Sequence, residues 1–525
     1  MNLVPSPEAQ APVTVNLSLV SHTNAGKTTL VRTLLQRDVG EVRDAAHVTE
    51  VATGYVMVQA GSDTLMLWDT PGFGDTKRLV GRLRSSGNPI GWFLSQIWDR
   101  VRDRPLWSSQ QAVRNARDEA DVILYLVNAS EDPAGAAYVP LEMEVLAWVG
   151  KPIVLLLNQT GPPSHEGKLD EERWANHLSA TALVSGVLTL DAFARCWVQE
   201  RTLLAAVEAV VPPAKQQAMV RLIAAWRERN LARFHAAMGV LARQLSEVAG
   251  DREEIGDRKW HDRVRGALLN PTGNATSPEA QRAMGLLAER VERGLRDSTN
   301  ELIALHGLSG RAAQDVLKRL RDDYTETAPA REGFAAVLGA VFSGAAGGLV
   351  ADAAAGGLTL GGGMIVGGIL GALGAGGAAR TYNFARGDET SSVRWSEELL
   401  VSMVRSSLLR YLAVAHFGRG RGQWEEGEHP AGWQGAVQDA IDAEREALRT
   451  IWKRARQGGP EEVAPLLQEV LTRSTERLLI TLYPACADIF EAGAKGADPP
   501  AARDQEAGAG LQSWRPDRLG TKPPA

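Results

Sequence analysis

The sequence predicts an α/β amino-terminal unit with a mostly parallel, doubly wound sheet, followed by a mainly α-helical remainder. Three observations predict it. Apolar runs of strand length alternate with helical patterns up to residue 211. Two of those runs, Asp121–Val127 and Pro152–Leu157, are continuously apolar, as strands buried on both faces are. After Pro212–Pro213 the apolar residues instead recur every three to four positions.

Taken in order, Val13–Val20 reads as the first strand and Thr28–Gln36 as a helix with Leu30, Val31, Leu34 and Leu35 on one side. Gly54–Gln59 and Thr64–Trp68 read as two further strands. A Trp-rich stretch with Trp92, Phe93, Trp98 and Trp107 reads as a helical insertion spanning 76–118. This first unit covers 13–211. A helical domain is expected over 214–330, opened by a helix with Met219, Leu222, Ile223, Trp226, Phe234, Met238, Leu241 and Leu245 on one face. A polar stretch, Gly250–Gly266, interrupts it, with helix resuming to Asp323. Residues 333–380 form a Gly/Ala-rich apolar segment in which Asp352 is the only charge between Gly333 and Ala379. A further helical domain is expected over 390–491, with Val437, Ile441, Leu448, Ile451 and Trp452 on one face. The Ala-, Gly- and Pro-rich stretch 492–525 reads as a disordered tail.

Composition bounds the function. The chain has 525 residues, 44% of them hydrophobic and 23% charged, with a net charge of −6. That excludes a wholly disordered chain, a collagen and a disulfide-stapled miniprotein. The two cysteines, Cys196 and Cys486, have no metal-ligand spacing and suit a reducing cytoplasm. Slight acidity argues against nonspecific nucleic-acid binding. Met1–Pro12 carries no Lys or Arg and no long apolar run, so a cytoplasmic amino terminus is expected.

The chemistry concentrates in four segments. Ser21-His22-Thr23-Asn24-Ala25-Gly26-Lys27-Thr28 follows the first strand and, with Thr29, opens the first helix. It fits the phosphate-loop pattern G-x-x-x-x-G-K-[ST] with Ser21 in place of the first Gly. Backbone N–H groups and a helix N-terminus bind phosphate oxygens, Lys27 reaches the β and γ phosphates, and the Thr28 hydroxyl ligates Mg²⁺. Asp69-Thr70-Pro71-Gly72 ends the next parallel strand, where a carboxylate holding Mg²⁺ belongs and where the Gly72 N–H could meet the γ-phosphate. Between them, Thr49 is the candidate for a switch threonine that closes on Mg²⁺, with Thr53 as its rival. Asn158 and Gln159, followed by Thr160 and Gly161, end the Pro152–Leu157 strand. His22 could touch nucleotide, though a surface role fits as well. The glycine-rich basic stretch starting at His416 reads as a solvated loop.

This order of motifs resembles the translation-factor class of small GTPases. Within it, the chain is similar to the Era/TrmE-like bacterial GTPases, and more narrowly to a bacterial family that fuses such a domain to a long C-terminal domain of unknown function. The resemblance implies a P-loop GTPase fold over the first unit, GTP as ligand, Mg²⁺ held by Thr28, Thr49 and Asp69, and K⁺ beside the phosphates through Asn24. Three departures stand out, one being that no clear S-A-K motif follows, with Leu190-Asp191-Ala192 in about its place. Gln159 and Gly161 occupy the Lys and Asp positions of the family's N-K-x-D, whose Asp reads guanine. Phe73 stands where Ras-like enzymes carry a water-orienting Gln, so unassisted turnover is expected to be slow.

The apolar segment 333–380 is long enough to cross about 30 Å of hydrocarbon. Gly363, Gly367 and Gly371 lie four apart on one helical face, as do Ala340, Gly344 and Gly348. Membrane contact through this segment is the favoured expectation, with a packed helical pair inside a soluble domain as its rival. The favoured function is a slow Mg²⁺-dependent GTPase switch at or near the inner membrane, with an unknown protein partner. A dynamin-like membrane remodeller, which would allow a homodimer, and a nucleotide-binding docking module with little turnover are the alternatives.

Overall fold

A computed structural model describes residues 11–37, 39, 51–84, 87–95, 103–158, 165–178, 183–190, 196–255, 278–308, 382–386, 391–417 and 432–491. The amino-terminal unit is built on six strands: β1 (Thr14–Ser21), β2 (Thr53–Ala60), β3 (Asp63–Asp69), β4 (Val122–Asn128), β5 (Ile153–Asn158) and β6 (Val184–Thr189). They lie in the order β2-β3-β1-β4-β5-β6. All neighbours are parallel except β2 and β3, which form an antiparallel hairpin.

The apolar runs behave as double-sided strands. Along β4, Val122, Leu124 and Leu126 enter one core, while Ile123, Tyr125 and Val127 enter the other. Strand alternation sends successive side chains to opposite faces, so a run buried on both sides has no polar position to spare. Helix α1 (Lys27–Leu35) packs on the first face with α7 (Glu200–Val210). On the second face lie α2 (Thr76–Leu83), α3 (Pro89–Ser95), α4 (Arg104–Asp118), α5 (Tyr138–Val149) and α6 (His165–His177). The Trp-rich stretch is therefore helical where described, with Phe93 fully buried; Trp98 lies outside the described residues.

The helical part begins with α8 (Gln216–Gly250), a 35-residue helix. Its expected apolar face is buried at Met219, Leu222, Trp226, Phe234, Met238, Leu241 and Leu245, with Ile223 half-buried. Helices α9 (Pro278–Leu305), α10 (Glu397–Ala415), α11 (Gly432–Ala443), α12 (Arg445–Ala455), α13 (Pro460–Leu482) and the short α14 (Asp488–Glu491) pack around it. One continuous core joins these helices to the β1–β3 face of the sheet. Polar ties fix α8 and the turn before it on that face. Lys215 Nζ donates to Asp121 Oδ2 and to the Thr14 carbonyl, both at 2.7 Å. Arg221 pairs with Asp63 at 2.7 Å, and Arg229 donates to the Met57 carbonyl at 3.0 Å.

The polar stretch after Gly250 opens with a strand: β7 (Arg252–Ile255) joins β8 (Tyr382–Arg386) and β9 (Ser391–Trp395) in a three-stranded antiparallel sheet, order β7-β9-β8. Arg290 of α9 satisfies the acids at this edge, with Asp251 at 2.8 Å and Glu253 at 2.5 Å. Val437 and Ile441 lie on α11 and Leu448, Ile451 and Trp452 on α12, two helices separated at Glu444. The segment 333–380 lies outside the described residues. Among the described residues, no helix is long and apolar enough to cross a membrane.

Candidate functional site

The loop between β1 and α1 is shaped by two left-handed residues. Asn24 has φ 67° and Gly26, the N-cap of α1, has φ 89°. Gly26 suits this because it lacks the Cβ that such a φ strains. The first-turn N–H groups of α1 have no carbonyl ahead of them within the helix, the arrangement by which a helix N-terminus meets an anion. Thr70 Oγ1 donates to the Leu19 carbonyl at 2.6 Å and holds the end of β3 against β1.

The segment after Asp69 runs beside the loop. Phe73 N donates to the Ser21 carbonyl at 2.9 Å, while Thr23 N and Thr23 Oγ1 both donate to the Phe73 carbonyl, at 3.2 and 2.6 Å. Gly72 lies at the closest approach. A Cβ there would sit 2.8 Å from Thr23 Cα and 3.0 Å from Lys27 Nζ. Phe73 has no exposure and points into the core.

Lys27 is 8% exposed. Its ammonium donates to Ser21 Oγ at 2.8 Å and weakly to the His22 carbonyl at 3.4 Å. Burial lowers its pKa to about 8, against the opposing pull of Asp69 and Glu142. Thr28 Oγ1 donates to Asp69 Oδ2 at 2.7 Å. Ala25 is buried, and its carbonyl accepts a 3.0 Å hydrogen bond from Asn158 Nδ2, so the end of β5 braces the loop. Thr29 is buried, with its carbonyl accepting from Thr33 Oγ1 at 3.1 Å. Thus Ser21 to Thr29, Asp69, Gly72 and Asn158 converge. Thr49, Gln159 and Gly161 lie outside the described residues. Thr53 opens β2 and is exposed.

His22 is not a simple surface residue. Its Nδ1 lies 2.7 Å from Glu142 Oε1, and its ring stacks on Tyr138 with centroids 4.3 Å apart. Glu142 has no exposure and also accepts from Thr76 Oγ1 at 3.0 Å and Tyr125 OH at 2.6 Å. Sequence reasoning missed Glu142. The available signal was an acid four residues after Tyr138, on the face of α5 that also carries the apolar Val139, Met143 and Leu146. His416, read as part of a solvated loop, is instead buried, 2.6 Å from Tyr483 OH and 2.7 Å from the Leu412 carbonyl. Phe417 is half-buried, and the rest of that stretch, 418–422, lies outside the described residues.

A strand, a glycine-containing loop with a buried lysine, and a hydroxyl–carboxylate pair at the end of the adjacent strand are the framework of a P-loop GTPase domain. Residues 16–159 match the family model described as 50S ribosome-binding GTPase. The remainder is identified by its own family: residues 178–479 match the model described as Domain of unknown function (DUF3482), and the chain belongs to that family. The chain is similar in part to solved structures. The Aquifex aeolicus Era variant bound to GDP and aluminium fluoride is 16% identical over 38% of this chain and 57% of its own, with TM-score 0.29. Era in complex with MgGDPNP and 16S ribosomal RNA nucleotides is 17% identical over 38% and 58%, with TM-score 0.28. A bacterial selenocysteine-specific elongation factor is 13% identical over 37% and 28%, with TM-score 0.25. The chain thus spans under two thirds of each. No curated protein matches.

Proposed function

We propose that the chain binds GTP and hydrolyses it slowly as a molecular switch. The observation that carries this reading is the convergence of Lys27, Thr28 and Asp69 on the loop that Gly72 closes against. Lys27 would neutralise the β and γ phosphates, and loop N–H groups would hold their oxygens. The 2.7 Å hydroxyl–carboxylate pair of Thr28 and Asp69 is a hard-oxygen donor set that suits Mg²⁺. These two residues would hold the ion, with Thr49 closing on it, and it would supply charge neutralisation. Asn24 would help hold K⁺ beside the phosphates. Asn158 and Gln159 would border the base.

A water attacks the γ-phosphate in line, and the chain contributes positioning and charge rather than covalent chemistry. Phe73 contributes no polar group to that water, because its ring is core. This burial supports slow turnover, and it favours the docking module with little turnover as a second reading.

The direct test is binding and multiple-turnover hydrolysis of GTP, GDP and ATP with Mg²⁺ and with K⁺ or Na⁺. Preference for guanine nucleotides and slow phosphate release are expected. Equal ATP binding overturns the GTP assignment, and release of no phosphate leaves the docking module. We further propose membrane contact through 333–380, resting on that segment's apolar sequence. Flotation with anionic vesicles tests it, and failure to float with either nucleotide overturns it.

A further inference from the structure

We propose that Glu142 is a positioning residue that latches the phosphate loop to α2, the helix behind the Asp69–Gly72 turn. The proposal rests on the GTPase reading above.

A carboxylate with no exposure costs several kcal/mol unless donors surround it. Glu142 of α5 has three, and each comes from a different element. Tyr125 OH, at 2.6 Å, belongs to the central strand β4 and is itself fully buried, so it anchors the carboxylate to the part of the molecule least able to move. His22 Nδ1, at 2.7 Å, belongs to the phosphate loop. Facing a carboxylate, that nitrogen is the donor. Thr76 Oγ1, at 3.0 Å, is the first residue of α2. The same hydroxyl lies 3.3 Å from the Gly74 carbonyl, so it has a weaker local alternative when α2 shifts.

The loop side of the latch is equally constrained. The His22 ring stacks on Tyr138 of α5. The carbonyl of His22 accepts from Ser21 Oγ at 2.5 Å and, weakly, from Lys27 Nζ at 3.4 Å. A short chain of contacts therefore runs from α2 through Thr76, Glu142 and His22 to the lysine that meets the γ-phosphate. Moving α2 away removes one of three donors from a buried anion, and that cost is felt at His22. The chain thus holds a discrete element that the presence of the γ-phosphate can bias.

A purely structural staple would read differently, and full-length protein separates the two. Dissociation constants for fluorescent GDP and for a non-hydrolysable GTP analogue with Mg²⁺ are measured on the parent, Thr76→Val, Glu142→Ala and Glu142→Gln. Thr76→Val keeps the side-chain shape and removes only the hydroxyl. It and Glu142→Ala are expected to weaken the GTP analogue about tenfold, the worth of a hydrogen bond to a charged group, while GDP stays within about twofold. Glu142→Gln is expected to restore the parent ratio. Its amide oxygen accepts from His22 and Thr76, and its amide nitrogen donates to the Tyr125 oxygen. Equal weakening of both nucleotides, or an unchanged ratio in Thr76→Val, overturns the latch. If Glu142→Ala fails to fold, Thr76→Val and Glu142→Gln still decide. Failure of the parent to bind GDP overturns the nucleotide reading instead.

Discussion

Each half of the molecule buries a cation, and the two are held in opposite ways. In the amino-terminal half, Lys27 is 8% exposed and has one close acceptor, Ser21 Oγ at 2.8 Å, with the His22 carbonyl distant at 3.4 Å. In the helical half, Arg410 of α10 has no exposure and reaches five oxygens among the described residues. These are the Leu295 carbonyl, Ser298 Oγ, Thr299 Oγ1, Gln244 Oε1 and Ser407 Oγ, at 2.9 to 3.2 Å. Desolvation lowers the lysine to about 8. The arginine joins α8, α9 and α10 through neutral acceptors. Equal burial does not mean equal purpose. A thinly solvated charge is held ready for a ligand, whereas a charge wrapped in hydrogen bonds serves to hold helices in place.

The comparison breaks first at Lys27. Lys27→Ala is expected to cost nucleotide affinity about 10³-fold, the worth of two charge-assisted hydrogen bonds to phosphate. Titration calorimetry with GDP checks it, and unchanged affinity removes Lys27 from the site. The sign for stability is the reverse. The folded-state pKa lies below that of an exposed lysine, so the unfolded chain binds more protons between pH 8 and 10.5. The buried charge therefore costs stability in full below about pH 8, and the cost recedes as pH rises through that window. Lys27→Met is expected to raise the melting temperature of nucleotide-free protein at pH 7 by a few degrees.

The same contrast explains what could be read without coordinates. The phosphate loop is a local backbone device, so Gly26, Lys27 and Thr28 carry it in eight consecutive residues. The β4 and β5 runs and the α8 face were legible because burial imposes its period directly on the sequence. Glu142 was not legible. Its partners His22, Thr76 and Tyr125 lie 120, 66 and 17 residues away, and only the fold closes those distances. His416 misled for a similar reason: it neighbours a glycine- and arginine-rich stretch in sequence but Tyr483 in space. Strand β7 was missed because Arg252, Glu253 and Glu254 carry no apolar alternation, and Glu253 is met by Arg290 from another element.

Arg410 sharpens the comparison from the other side. Arg410→Ala removes a large buried side chain and strands several hydroxyl and amide oxygens, for an expected loss of about 4 kcal/mol. Chemical denaturation monitored by far-ultraviolet circular dichroism reads this directly. Nucleotide affinity of the remaining folded protein should stay within about twofold of the parent, because none of the five acceptors belongs to the phosphate loop. A parallel loss of affinity would mean that the helical half reports on the site and that the two cations are not separable.

The smallest expected effect concerns two neutral histidines of the helical half. Burial lowers both His306 and His416 to about 4, although each ring has a backbone carbonyl within hydrogen-bonding distance. Below the ordinary value of 6.5 the unfolded chain protonates its histidines while the folded chain does not. Stability contributed by the neutral rings is thus intact above pH 6.5 and is lost as pH falls from 6.5 towards 4, by up to about 3 kcal/mol for each ring. His416→Gln keeps a polar group near Tyr483 and cannot titrate. It is expected to flatten this part of the acid-unfolding curve by about half. Lys27, at about 8, stays protonated throughout this range and adds nothing to this transition. An acid transition unchanged in His416→Gln would remove His416 from the acid sensitivity.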